Sequence, residues 1–150
     1  TGKPLIAVSS LAALTAVAIE DYQAGILDIE NWDEAILCPM IDARRMEVYT
    51  QMFDSKGAPQ SDISAEVITE QSFAAVRSSA KNFVVFGSGA AKCRETLGAT
   101  LVDIAPSVRG MARIAQSKYS RGEFVDVAYF EPYYLKDFVV TTSKKNLLAK

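Results

Sequence analysis

The chain has 150 residues, a formal net charge of -2 at pH 7, 49% apolar residues and 23% charged residues. A chain of this length forms one domain, or one lobe of a larger one, and buries roughly 68–70% of its unfolded surface. With no histidine it lacks the commonest metal ligand, the Ser-His and Cys-His nucleophile pairs and the default general base near neutral pH, and its two cysteines make neither a disulfide framework nor a four-cysteine zinc site.

The apolar run at residues 5–8 predicts a strand, and residues 11–23 predict a helix capped by Ser9 or Ser10. In that helix Leu11, Leu14, Ala18 and Tyr22 form the buried face, while Thr15, Glu20 and Asp21 carry the polar character. The chain opens on Thr1 without an initiator Met, and its first strand wants neighbours, so the expectation is a fragment whose upstream part is missing. No segment is long enough to span a membrane, and no signal peptide is recognisable. Cysteine use suits a reducing cytoplasm.

Residues 35–41 are almost continuously apolar, the mark of a strand covered on both faces. A charged turn follows at Asp42-Ala43-Arg44-Arg45, and residues 46–53 alternate as the second arm of a hairpin, with Glu47 and Tyr49 on one face. A third strand is predicted near residues 64–68, then a short helix capped by Thr69 with Phe73, Val76 and Ala80 on one side. Residues 83–86 form a buried strand, Gly87-Ser88-Gly89 a turn, and residues 90–97 a helix closed by Gly98. A strand at 101–104 precedes a helix from Pro106-Ser107 to about Tyr119, whose inward face is Val108, Met111, Ala112, Ala115 and Tyr119. Gly122 ends it; Glu131-Pro132-Tyr133-Tyr134 reads as an edge or a loop packed by tyrosines, and Lys144, Lys145 and Lys150 form a basic tail. Hairpins first, then strands alternating with helices, give a mixed sheet with helices on it.

Three patterns bear on chemistry. The Gly87-Ser88-Gly89 turn is either a tight strand-to-helix connection or a remnant anion contact; a dinucleotide fingerprint wants a third glycine where Lys92 stands. The Ser78-x-x-Lys81 spacing lacks the companion motifs of acylating enzymes. Cys38 reads as an inert core thiol, whereas Cys93, near Lys92 and Arg94, is placed for a lowered pKa yet has no histidine partner. The charged tip from Asp42 to Glu47 is either a solvated turn or a functional loop.

Lys3-Pro4-Leu5-Ile6-Ala7-Val8-Ser9-Ser10-Leu11, Pro39-Met40-Ile41-Asp42-Ala43-Arg44-Arg45-Met46-Glu47-Val48-Tyr49, Gly87-Ser88-Gly89-Ala90 and Glu131-Pro132-Tyr133-Tyr134-Leu135 occur in the order in which similar segments occur in the TsaB (YeaZ) family, which the chain resembles. The resemblance implies an α/β, actin-like (ribonuclease-H-like) mixed sheet with flanking helices, the second lobe of a two-lobe protein. Residues 1–24 would end the first lobe, 35–142 form the second, and 143–150 the tail. It implies a non-catalytic, cytoplasmic scaffold in the complex that installs threonylcarbamoyl on adenosine next to the tRNA anticodon. Its partners would be a threonylcarbamoyltransferase paralogue and a small ATPase, with weak or indirect tRNA contact and no membrane. ATP, ADP and Mg²⁺ would be handled by those partners and no cofactor by this chain. The contact candidates are Asp42, Arg44, Arg45, Glu47, Gly87, Gly89, Glu131 and Tyr133. A homodimer is expected through apolar surface left by the missing lobe. The rival is an actin-like phosphotransferase or hydrolase with Asp42 as metal-binding acid; a peptidase ranks last.

Overall fold

The computed structural model describes residues 2–135. Helix α1 (Ser10–Gln23) begins where Ser9 is extended and its hydroxyl accepts from the Ala12 N–H at 3.4 Å. Sequence patterning placed this helix but not its burial. Thr15 and Asp21 are buried with the apolar positions, and the Thr15 hydroxyl is satisfied by the Leu11 carbonyl at 3.0 Å. Helix α1 is covered on more than one side, by the sheet and by the last helix.

The sheet is built around β1 (Ala35–Asp42). It pairs antiparallel with β2 (Glu47–Thr50) and β3 (Phe53–Asp54), and parallel with β5 (Asn82–Phe86). The β2 and β3 ladders share one register, with Met40 opposite Thr50 and Leu37 opposite Phe53. The expected single arm is therefore interrupted without slipping. Pro39 lies in the gap and has no N–H for a ladder, and its carbonyl accepts instead from the Thr50 hydroxyl at 2.8 Å. Strand β4 (Ser64–Val67) pairs antiparallel with β2, and β6 (Thr100–Leu101) pairs parallel with β5. The order β4-β2-β1-β5-β6 is a mixed sheet with flanking helices, as expected for the α/β class.

Both faces of β1 are covered. On one side Leu37, Val84 and Phe86 meet Leu11, Leu14 and Ala18 of α1. On the other, Cys38, Met40 and Val85 meet Val48, Cys93 and Leu97. Burial pushes the Cys38 thiol up to about 12, which makes it the inert core thiol its apolar surroundings suggested.

Several expectations need correction. Residues 5–8 form no strand: Leu5 makes one antiparallel bridge to Val125, and the sheet ends at β4 and β6 without reaching them. Thr69 does not cap a helix: its hydroxyl lies 3.4 Å from the Ser72 hydroxyl, and the Ser72 N–H donates to its carbonyl at 3.0 Å in a local turn. Helix α2 (Ala74–Ser79) starts later, after Phe73 in the left-handed region. The helix expected over 90–97 is split into a 3-10 turn (Ala91–Cys93) and the short α3 (Arg94–Leu97), closed by Gly98 at φ 58°. Strand β6 is shorter than the expected 101–104. The basic tail lies outside the described residues.

The largest correction concerns helix α4 (Val108–Ser120), which begins at Ser107 as expected but presents the opposite face. Val108, Met111 and Tyr119 are 69%, 48% and 57% exposed, while Gly110 is buried against α1. A Cβ on Gly110 would stand 2.1 Å from the Ala13 carbonyl oxygen, so the two helices approach more closely than any side chain at position 110 allows. Polar tethers add to this. The Arg109 guanidinium pairs with Glu20 at 3.2 Å and Asp21 at 3.0 Å, and the Lys118 ammonium donates to the Ala7 carbonyl at 2.9 Å. Helix propensity alone predicts that Gly110→Ala stabilises by about 1 kcal/mol. The close contact predicts the reverse, a loss of about 1–3 kcal/mol from overpacking. Thermal unfolding of the variant decides, and a raised midpoint would mean the helices separate at no cost.

Candidate functional site

The candidate residues that come together lie at the end of β1, the β1–β2 hairpin tip and the 87–89 turn. The Asp42 N–H donates to the Ser88 hydroxyl at 3.1 Å, which ties the tip to the turn. At the tip Ala43 donates to the Glu47 carbonyl at 3.1 Å, and Glu47 donates to the Arg44 carbonyl at 3.0 Å. Between them Arg44 and Arg45 stand at φ 74° and 47°, two consecutive non-glycine residues in the left-handed region. Such residues cost roughly 1–2 kcal/mol each relative to ordinary backbone. Both arginines are exposed, and neither guanidinium has a hydrogen bond or ion pair among the described residues.

Lys92 holds this tip together. It stands in the 3-10 turn, and its ammonium donates to Asp42 Oδ1, the Arg45 carbonyl and the Glu47 carbonyl. An ammonium has three donors, and these three acceptors use them all. The lysine hydrogen bond, with help from the Arg44 N–H, holds the Asp42 carboxyl below its ordinary range. Sequence reasoning missed this residue. Lys92 was legible only as the departure from a third glycine, and nothing in the spacing said that its ammonium would cross to the hairpin.

The two glycines of the 87–89 turn are spent on packing. Gly87, at φ 96°, has the Met40 carbonyl oxygen 2.7 Å from where a Cβ would be. A Cβ on Gly89 would lie 2.8 Å from Val48 and 3.1 Å from the Asp42 nitrogen, and the Gly89 N–H donates to the Met40 carbonyl at 2.9 Å. The turn is thus the tight strand-to-helix connection of the two readings, and the helix after it is too short to act as an anion-binding end. These residues do not fit a nucleotide phosphate.

Other candidates fall elsewhere. Glu47 opens β2 half-buried, on the same strand face as Tyr49, as alternation required. Glu131 and Tyr133 lie in a segment without regular structure and have no hydrogen bond among the described residues, and the tyrosines expected to pack it are exposed, Tyr133 by 71% and Tyr134 by 81%. The Cys93 thiol is buried and donates to the Gly89 carbonyl at 3.3 Å; burial raises its pKa, overriding the lowering effect of Lys92. The Ser78 and Ser79 hydroxyls bond back to the α2 carbonyls of Ala75 and Val76. Among the described residues no cluster of three or more acidic or cysteine side chains could hold a metal ion, and no helix is long and apolar enough to cross a membrane.

No family model matches the sequence, and no curated protein matches it. Among solved structures, YeaZ from Pseudomonas aeruginosa matches with a TM-score of 0.61 at 26% identity, over 89% of this chain and 60% of that one. The chain is similar to YeaZ. A second solved structure, an uncharacterized protein described as similar to peptidase YeaZ from Pseudomonas aeruginosa, matches with a TM-score of 0.58 at 24% identity over the same shares. The resemblance read from the ordered segments is thus borne out in three dimensions. The YeaZ-like chain spans about 60% of the length of these two neighbours.

The hairpin geometry separates two contributions of Arg44 and Arg45. Arg44→Gly with Arg45→Gly relieves the left-handed strain and is expected to keep or raise the thermal midpoint, by the equivalent of about 1 kcal/mol. Lys92→Met leaves two tip carbonyls and Asp42 without their cation and is expected to lower it by about 1–2 kcal/mol, discounted for partial exposure. If the glycine pair destabilises as much as Lys92→Met, the arginine side chains hold the tip and the strain argument fails.

Proposed function

We propose that this chain is the second, actin-like lobe of a YeaZ-like scaffold, with residues 1–24 ending the first lobe and 35–142 forming the second. It activates the transferase that places threonylcarbamoyl on the adenosine next to the tRNA anticodon, and it performs no chemistry itself. The observation that carries this reading is the filled site at the end of β1. Gly87 and Gly89 are used up in contact with Met40 and Val48, and the Asp42 carboxylate is engaged by Lys92. An actin-like enzyme needs that turn and that acid for its nucleotide and metal. The similarity to YeaZ over 89% of the chain supports the family part of the reading. The outward apolar stripe of α4 supports the lobe part, as the face on which a first lobe packs, or a second copy in a homodimer.

Nucleotide and Mg²⁺ then belong to the partner subunits, tRNA contact is indirect, and the complex works in the cytoplasm. Arg44 and Arg45, exposed and without a side-chain partner among the described residues, are the contact residues, held in one conformation by Lys92.

The test is tRNA modification reconstituted from the transferase paralogue, the small ATPase and this chain. Arg44→Glu with Arg45→Glu is expected to lower the rate about tenfold, the size of one lost interface anchor. Its thermal midpoint is expected to move by no more than about 2 °C, because exposed side chains carry little stability. A large fall in the midpoint makes the hairpin structural. Saturable Mg-ATP binding by the chain, abolished by Asp42→Ala, establishes the enzyme reading instead.

A further inference from the structure

A second surface lies away from the hairpin tip, along the side of α1. Two adjoining hollows of about 300 and 350 Å³ run between α1, α4 and the turn after β3. Their floor is apolar: Ala12, Ala16 and Ile19 from α1, and Ile114 from α4. At the far end Tyr22 and Trp32 are stacked, with ring centroids 4.0 Å apart and planes within 8°. The α1 side chains span residues 12–23, which at 1.5 Å per residue is a trough roughly 16 Å long.

Lys56 and Arg113 line both hollows, so they stand where the two meet. Both are exposed, and neither side chain has a hydrogen bond or ion pair among the described residues. Several other cations of the fold are instead engaged. Lys92 and Lys118 are held by backbone carbonyls, and Arg109 by two carboxylates. Among the described residues Asp33, at the tryptophan end, is the only acidic side chain in either lining. Two small residues one turn apart on α1, Ala12 and Ala16, leave room for side chains from outside.

We propose that this trough docks an acidic amphipathic helix of a partner protein. Apolar side chains at i, i+3, i+4 and i+7 would lie over Ala12, Ala16 and Ile114 and toward Tyr22 and Trp32, with flanking carboxylates on Lys56 and Arg113. Such a helix spans two turns, about 10 Å, within the length of the trough. Charge decides the occupant. A basic segment would meet two cations that have no partner among the described residues.

The chain's single tryptophan lines the trough, so its fluorescence reports occupancy without a label. The probe is a synthetic 16-residue helix with leucines at those spacings and glutamates on the flanks. It is titrated beside a scramble of the same composition and a version with lysine for every glutamate. Saturable binding of the acidic helix is expected at least about tenfold tighter than the scramble, and no saturation by the lysine version. Lys56→Glu with Arg113→Glu is expected to weaken binding about tenfold or more. Ala16→Phe, which fills the floor, should abolish binding, with circular dichroism confirming that each variant is folded.

Equal binding of the scramble, or no binding of the acidic helix, overturns the proposal. So does competition by a single-stranded oligonucleotide at the same site, which would assign the two cations to phosphates. Self-association lost in the double variant would assign the trough to a second copy.

Discussion

The close approach of the 87–89 turn to the end of β1 is the constraint on which the rest of the candidate site depends. Backbone meets backbone there, with the Gly89 N–H on the Met40 carbonyl at 2.9 Å and no room for a Cβ at position 87 or 89. Because the turn sits so near the strand, Ser88 reaches the Asp42 nitrogen, and the 3-10 turn behind it carries Lys92 across to the hairpin. A single packing decision thus leaves no room for a side chain at the two glycines and fixes the conformation of the charged tip.

Side-chain cations on backbone carbonyls are the recurrent device of this fold. Lys92 takes the carbonyls of Arg45 and Glu47, Arg77 those of Glu70, Ser72 and Leu97, and Lys118 that of Ala7. Loops and short helices leave carbonyls without partners, and this chain, with many short elements, satisfies several of them with long basic side chains. Four of the cations with no such partner among the described residues stand at notable places. Arg44 and Arg45 are held on strained backbone, and Lys56 and Arg113 stand over an apolar trough. Strain of this kind persists only where surrounding structure fixes it, and here Lys92 is what fixes it.

Helix α4 packs against its own pattern. Its pattern is amphipathic, and an amphipathic helix normally turns its apolar stripe inward. Here Gly110 lets the small-residue side sit against α1 while Arg109 and Lys118 tether the ends. The apolar stripe is left facing out, on a chain that spans about 60% of the length of its YeaZ neighbours. Pattern and packing disagree along this helix, and the exposed stripe is the result.

By itself, the sequence determined the α/β class, the doubly covered β1, the β1–β2 hairpin with β4 beside it, the buried β5 and the two long helices with their serine caps. Local periodicity and capping set all of these. Ordered short segments, from Ile41-Asp42-Ala43-Arg44-Arg45 to Glu131-Pro132-Tyr133-Tyr134, also carried the likeness to YeaZ that the structure bears out. Tertiary structure alone decided which face of α4 is buried, because that depends on how near Ala13 can come to a residue 97 positions later, Gly110. It alone turned the Gly87-Ser88-Gly89 motif from a candidate cradle into a packing contact, because a glycine pattern does not say what fills its space. And it alone revealed Lys92, whose partners are the carboxylate and carbonyls of residues 45 to 50 positions away in the chain.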